Sequence, residues 1–212
     1  MSFQVEGKVA VVTGGSSGIG LAAVEILVAE GAKVAWCGRD EQRLVESKLY
    51  ILEKYPHAHV FTQVCNVLDK EDVKNFAHTV KQHLGNVDML INNAGQGRVS
   101  TFENTQDEDW MKEIELKYFS VLHPIRAFLV DLKNSAIGSV TNVNSLLALQ
   151  PEPHMIATSS ARAALLNLTH SLAHEFIQYN VRVNSILLGM VESAQWKRRY
   201  ETRSDPNQSW QD

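Results

Sequence analysis

The sequence has little cysteine: Cys37 and Cys65 are the two cysteines among 212 residues. Two thiols are too few for the disulfide framework of a small secreted protein, and these two do not form a paired metal-binding motif. We therefore expect two reduced structural thiols, no disulfide, no structural zinc and no other metal site.

Long hydrophobic runs and an excess of one charge are also missing. No apolar run reaches the roughly 18 residues of a membrane span, and the start MSFQVEGKVAVVTGG lacks the parts of a secretory signal. With a formal net charge of -4 and scattered Lys and Arg, the chain has no positive electrostatic field that would attract nucleic acid or an anionic membrane. A single cytoplasmic domain with no nucleic-acid or membrane partner is expected, and 44% hydrophobic residues suffice for its core.

Apolar segments rich in β-branched residues alternate with segments of helical periodicity. KVAVVTGG reads as a strand that ends in glycines, and GIGLAAVEILVAEGA follows as a helix. Further strands are predicted at KVAWC, AHVFTQV, VDMLIN, GSVTNV and VRVNSIL, and further helices through Ile51, from Asp69 to His83, from about Asp107 to Leu132 and around IATSSARAAL. Because strands this apolar need helices on both faces, the alternation predicts a single α/β domain with a doubly wound parallel sheet.

The turn between the first strand and the first helix is rich in glycine. TGGSSGIG places Gly14, Gly18 and Gly20 in the spacing Gly-x-x-x-Gly-x-Gly. A tight exit from the strand needs a residue without Cβ, and a pyrophosphate needs bare backbone beside a helix N-terminus. The turn therefore predicts a dinucleotide site; the alternative is a turn that merely connects two elements.

Several segments together resemble the short-chain dehydrogenase/reductase family. They are TGGSSGIG, the NNAG from Asn92 to Gly95, Ser145 and VRVNSILLGMVES, in the family's order and spacing over nearly the entire chain. The resemblance implies a Rossmann fold, a nicotinamide dinucleotide, oxidoreduction between carbonyl and alcohol, and homodimers or homotetramers. The cofactor contacts that it implies, besides the glycines above, are Ser16, Ser17, Ile19, Asn93, Ala94, Gly95, Arg162, Gly189 and Ser193.

The family's last helix and seventh strand would follow Asp212, so we expect the native chain to continue. The tail from Ala194 to Asp212 reads as irregular or briefly helical. It belongs to the variable region that closes over the substrate in the family, and the sequence therefore leaves the identity of the small-molecule substrate open.

The end of the second strand indicates which dinucleotide binds. In the family that the chain resembles, NAD-dependent members have an acidic residue at the position of Gly38. Arg39 follows it. A forked cation suits a 2′-phosphate, and the missing carboxylate removes a repulsion, so NADP(H) is predicted over NAD(H). The alternative is a surface pair between Arg39 and an acid, with Asp40 nearby. Asn66 replaces the family's usual aspartate, and its carbonyl can accept a hydrogen bond from the adenine amino group.

The catalytic positions depart from the family. Ser145 matches the serine that hydrogen-bonds the substrate oxygen, but thirteen residues later Thr158 occupies the tyrosine position. Arg162 stands in place of the lysine, and Lys117 in place of an asparagine that anchors a water relay. Arg162 keeps a positive charge but cannot join a relay that needs loss of its proton, and Thr158 does not ionise usefully. Lys117 is the candidate acid, because burial beside Arg162 would lower the pKa of its ammonium.

Two functions of different class follow. The first is an NADP(H)-dependent oxidoreductase with an altered proton-delivery site, and the second is an inactive NADP(H)-binding pseudoenzyme that acts as a sensor or structural partner. A Rossmann protein that binds no nicotinamide is a third reading. Lys117 could instead point to solvent, and the weaker candidates His154, Tyr118 and the basic run at 197–199 are expected to lie on the surface or to point away from the site.

Overall fold

The computed structural model describes residues 4–191, in which strands and helices alternate as predicted. The strands are β1 (Val9–Thr13), β2 (Lys33–Gly38), β3 (Val60–Val64), β4 (Met89–Asn92), β5 (Ser139–Ser145) and β6 (Arg182–Leu188). The helices are α1 (Gly18–Ala29), α2 (Glu41–Lys54), α3 (Lys70–Leu84), α4 (Asp107–Asn134) and α5 (Ile156–Phe176), with 3-10 turns at Leu146–Ala148 and Ile177–Tyr179.

The six strands form one parallel sheet in the order β3-β2-β1-β4-β5-β6. This confirms the predicted doubly wound sheet and the Rossmann fold. Every residue of β1 is buried, as expected for a central strand covered on both faces. The chain order reverses between β1 and β4, and in such sheets a crevice for ligands opens at this point, beyond the carboxyl ends of the strands.

The core has two layers, one on each face of the sheet. On one face, buried residues of α3, α4 and α5 such as Phe76, Phe128 and Leu172 pack together. On the other face, α1 and α2 pack against Trp36, whose indole donates a hydrogen bond to Ser47 Oγ at 3.0 Å. Cys37 and Cys65 lie in the first layer as buried free thiols.

Capping explains the small differences between predicted and observed helix ends. Asp69, predicted as the first residue of α3, is its N-cap, and its carboxylate accepts hydrogen bonds from Glu71 N and Asp72 N. Helix α4 runs two residues past the predicted end at Leu132. The tail from Ala194 lies outside the described residues. Among the helices of residues 4–191, none is long and apolar enough to cross a membrane.

Candidate active site

A cleft of about 1070 Å³ opens at the carboxyl ends of the strands, beside the point where the strand order reverses. Lys117 and Arg162, from α4 and α5, lie in its wall. Most of the residues that the sequence analysis assigned to cofactor binding also line it: Gly14, Ser16, Ser17, Gly18, Ile19, Arg39, Asn66, Asn93, Ala94 and Gly95. The structure thus brings the glycine turn, the end of β2 and the NNAG segment to one cavity.

The glycine turn has the backbone that its sequence predicted. Gly14 and Gly18 have φ values of 66° and 53°, which a residue with a Cβ rarely adopts. A Cβ on Gly20 would lie 2.5 Å from Asn93 Nδ2, which donates hydrogen bonds to the carbonyls of Thr13 and Gly14. Ser17, the N-cap of α1, makes no side-chain capping bond, so the first amides of α1 remain able to bind an anion.

The end of β2 has room and charge for a further anionic group. Asp40 forms an ion pair with Arg43, in which Asp40 Oδ2 lies 3.2 Å from Arg43 Nε. The acid that follows Arg39 in sequence therefore pairs with Arg43, and Arg39 itself is exposed. A Cβ on Gly38 would lie 3.2 Å from Ser16 Oγ, so an acidic side chain there would crowd this serine. Asn66 Oδ1 already accepts a hydrogen bond from Leu68 N at 3.2 Å, and an adenine amino group would have to use its second lone pair.

Lys117 is buried in the cleft wall and does not point to solvent. It is 3% exposed, and its Nζ donates to the Gln96 carbonyl at 2.6 Å and to Glu113 Oε2 at 3.1 Å. Burial lowers the pKa of this ammonium, the charge of Glu113 opposes that change, and the charge of Arg162 lowers the pKa further. The net direction is downward, so Lys117 is a stronger acid than an ordinary lysine.

Glu113 completes the site and was missed by the sequence analysis. It lies one helical turn before Lys117 on α4 and is 3% exposed. Its Oε2 accepts hydrogen bonds from both Lys117 Nζ and Thr158 Oγ1. A signal was present, because a Glu four residues before a Lys on a helix shares a face with it.

Thr158, at the tyrosine position, is fully buried beside Glu113. Its Oγ1 lies 2.6 Å from Glu113 Oε2 and accepts a hydrogen bond from Arg98 N at 3.1 Å. The hydroxyl is therefore engaged within the protein rather than exposed to the cleft. This hydroxyl can orient the carboxylate, but it cannot serve as an ionising acid.

Arg162 lines the cleft and has a donor nitrogen without a partner among residues 4–191. Its Nη1 donates to Asn144 Oδ1 at 3.3 Å, whereas its Nε is buried without a hydrogen-bond partner among residues 4–191. Burial lowers the pKa of this guanidinium, and the charge of Glu113 opposes that change. One carboxylate, Glu113, thus faces two cations, Lys117 and Arg162, and the cluster carries one net positive charge. Such a cluster can stabilise negative charge that develops on a substrate oxygen.

The remaining residues that the sequence analysis singled out lie at different places around the cluster of Glu113, Lys117 and Arg162 or outside the described residues. Ser145 ends β5 half-buried, and its Oγ accepts a hydrogen bond from Leu147 N; its neighbour Asn144 contacts Arg162. Tyr118 is half-buried, His154 is exposed, and Gly189 follows β6 in an exposed position. Ser193 and the basic run at 197–199 lie outside the described residues.

Comparison with protein families and curated proteins gives consistent matches. The family model for short chain dehydrogenases matches residues 8–204. An uncharacterized oxidoreductase of Staphylococcus saprophyticus is 34% identical over 190 residues, which cover 90% of this chain and 81% of the relative. A 3alpha-hydroxysteroid dehydrogenase of Mediterraneibacter gnavus is 30% identical over 193 residues, which cover 91% of this chain and 77% of the relative.

Solved structures of similar proteins also match. A short chain oxidoreductase from Pseudomonas aeruginosa, bound to NADPH and described as containing an atypical catalytic center, is 56% identical with a TM-score of 0.90. The match covers 92% of this chain and 76% of that one. L-sorbose reductase from Gluconobacter frateurii, complexed with NADPH and L-sorbose, is 32% identical with a TM-score of 0.90 and coverages of 94% and 76%.

Proposed function

The chain belongs to the short chain dehydrogenase family, and from that membership we propose that it is an NADP(H)-dependent oxidoreductase that interconverts a small carbonyl compound and its alcohol, with Lys117 as proton donor. The observation that carries the proposal is the burial of Lys117 in the cleft wall, against Glu113 and the Gln96 carbonyl. A family fold that lacks the tyrosine acid has an ammonium of lowered pKa in the same cleft.

The residues of the cleft fit NADP(H). The glycine turn and the first amides of α1 suit the pyrophosphate, and Gly38, Ser16 and Arg39 suit the 2′-phosphate. The unpartnered Nε of Arg162 suits the nicotinamide ribose. The relatives from Pseudomonas aeruginosa and Gluconobacter frateurii, both solved with NADPH, support the same choice.

Bound NADPH would supply the hydride for reduction of the carbonyl carbon. The chain has to deliver a proton to the carbonyl oxygen, and Lys117 Nζ is the donor for this step. The net positive charge of Glu113, Lys117 and Arg162 stabilises the negative charge that develops on that oxygen before the proton arrives. Ser145 matches the family's serine that hydrogen-bonds the substrate oxygen, and we assign its hydroxyl the part of second donor.

Consumption of NADPH tests this function. Wild type should oxidise NADPH with at least one member of a panel of simple aldehydes and ketones. Lys117→Met should abolish turnover but leave the NADPH affinity measured by calorimetry nearly unchanged. Lys74→Met, at an exposed position on α3, is the matched control and should behave as wild type.

Two results would reject the proposal, and they point in different directions. Tight NADPH binding without NADPH consumption, and with no reverse reaction from the corresponding alcohols, would favour the pseudoenzyme. Turnover that persists in Lys117→Met would show that another group, with His154 the first candidate, delivers the proton.

We further propose that the protein forms homodimers or homotetramers. Met111, Ile114 and Val130 are large apolar residues that α4 leaves exposed in the single chain. A symmetric pair of chains would bury them.

A further inference from the structure

Glu113 joins α4 to α5 through one carboxylate oxygen and, through Lys117, reaches the β4–α4 loop. Oε2 accepts a hydrogen bond from Lys117 Nζ on its own helix and from Thr158 Oγ1 on α5. The same ammonium donates to the Gln96 carbonyl in the β4–α4 loop. We propose that Glu113 is a positioning residue for Lys117: its buried carboxylate holds the ammonium at the cleft wall and keeps it charged. This inference rests on the proposed function, in which Lys117 donates the proton.

The hydrogen bonds account for the positioning. A lysine side chain has a flexible four-carbon stem and three N–H donors, so a single acceptor would not fix its nitrogen. Acceptors at 2.6 Å and 3.1 Å, on the loop and on α4, take two of these donors and leave the third for the cleft. Thr158, at 2.6 Å, in turn orients the carboxylate. The threonine at the tyrosine position thereby acquires a role that needs no ionisation.

The surrounding charges account for the second part of the proposal. The charged groups against Lys117 are Glu113 on α4 and Arg162 on α5; α5 also brings the neutral Thr158, and the β4–α4 loop brings the Gln96 carbonyl. Burial and Arg162 both lower the pKa of Lys117, so the ammonium would tend to lose its proton. Glu113 acts in the opposite direction through its charge and its hydrogen bond.

A purely structural role explains the pair less well. Exchanging a buried ion pair for well-packed apolar residues is often neutral or stabilising, so the fold alone does not require one here. Glu113 and Lys117 are both buried, on a helix that could pack apolar side chains at these positions. Lys117 lies in the cleft wall, and the hydrogen bond that Glu113 accepts from it favours a role in the reaction.

The test is the pH dependence of Glu113→Gln. Reduction needs protonated Lys117, so the rate falls as pH rises through the pKa of Lys117. The substitution removes the charge that raises this pKa, and the alkaline limb of kcat should move to lower pH by about one unit or more. Glu108→Gln, at an exposed position in the first turn of α4, is the matched control and should leave the limb in place.

Glu113→Asp guards against a Gln variant that fails to fold. Aspartate keeps the negative charge, but its side chain is shorter by one methylene. The alkaline limb of kcat should therefore stay at the wild-type pH while kcat itself falls. A limb that is unmoved in Glu113→Gln, or that moves as far in Glu113→Asp as in Glu113→Gln, would overturn the proposal.

A second readout does not depend on turnover. In protein labelled with ¹⁵N-lysine, the Lys117 Nζ resonance, assigned by its absence from Lys117→Met, should titrate at lower pH in Glu113→Gln than in wild type. If it does so in a protein that consumes no NADPH, the pairing of Glu113 with Lys117 stands and the proposed oxidoreductase function fails. An identical titration in both proteins would overturn the role of Glu113 whatever the activity.

Discussion

At the scale of single residues, Arg39 carries the proposed preference for NADPH. The acid next to it in sequence, Asp40, pairs with Arg43, so the Arg39 guanidinium is available to a 2′-phosphate. Arg39→Ala should weaken NADPH binding by about 1.5 to 3 kcal/mol and change NADH binding little. Calorimetry with both cofactors measures this. Arg182→Ala, at the opposite end of the sheet, is the control, and equal wild-type affinities for NADPH and NADH would contradict the assignment.

Restoring the family's residues should not restore its chemistry. Thr158 has no exposed surface and lies against Glu113, so the phenol of Thr158→Tyr would overpack this site. We expect the double variant Thr158→Tyr, Arg162→Lys to lose about 1 to 3 kcal/mol of stability and to gain little reductase activity. Urea unfolding and NADPH oxidation measure the two effects. A large gain in activity would mean that the cleft still presents this position to the substrate.

The residues of the proposed catalytic site were predictable to different degrees. Ser145, Thr158 and Arg162 follow from the spacing of the family motifs, and Lys117 follows from its place on the fourth helix. The burial of Lys117 did not follow, because a lysine without a visible partner usually points to solvent. Glu113 was missed for a related reason: its i,i+4 spacing to Lys117 is the ordinary spacing of exposed helical ion pairs and does not indicate a buried one.

At the scale of elements, the turn between β1 and α1 depends on close packing against the NNAG segment. A Cβ on Gly20 would overlap the Gly14 carbonyl and crowd Asn93 Nδ2. Gly20→Ala should therefore weaken NADPH binding roughly tenfold or more, about 1.4 kcal/mol, as measured by calorimetry. Gly7→Ala is the control: its φ of 71° would strain a residue with a Cβ, but a Cβ there has open space. It should lose stability and keep its NADPH affinity.

Element type was easier to predict than element ends. Apolar β-branched runs and helical periodicity identified each strand and helix of residues 4–191 that the core needs. The ends depend on capping and on local turns: Asp69 caps α3 instead of starting it, and α4 continues beyond the last apolar position that periodicity identifies.

At the scale of the whole molecule, exposed apolar residues on α4 predict self-association. Light scattering at micromolar concentration should give two or four times the chain mass of 23.7 kDa. Ile114→Glu, at one of the exposed apolar positions of α4, should weaken the assembly, whereas Val45→Glu on α2 should not. A monomeric wild type under these conditions would contradict the proposal.

The doubly wound sheet and the family were both predictable. Strands and helices alternate along the sequence, and the family's motifs occur in their usual order and spacing over nearly the entire chain. The organisation of the proposed proton-delivery site was not predictable. It depends on Lys117 of α4 and Thr158 of α5, which meet at the Glu113 carboxylate, and on the Gln96 carbonyl of the β4–α4 loop, which accepts a hydrogen bond from Lys117. Contacts between distant segments are not visible in a single sequence.

The central claim, that Lys117 replaces the tyrosine as proton donor, is tested most directly by a crystal structure with NADPH bound. Hydride transfer needs the carbonyl carbon about 3 to 3.5 Å from the nicotinamide C4, and the acid within about 3.2 Å of the carbonyl oxygen. Lys117 Nζ should therefore lie within roughly 7 Å of C4 on its open face, still hydrogen-bonded to Glu113. A nicotinamide ring that is out of reach of Lys117, with a different proton donor facing C4, would contradict the account.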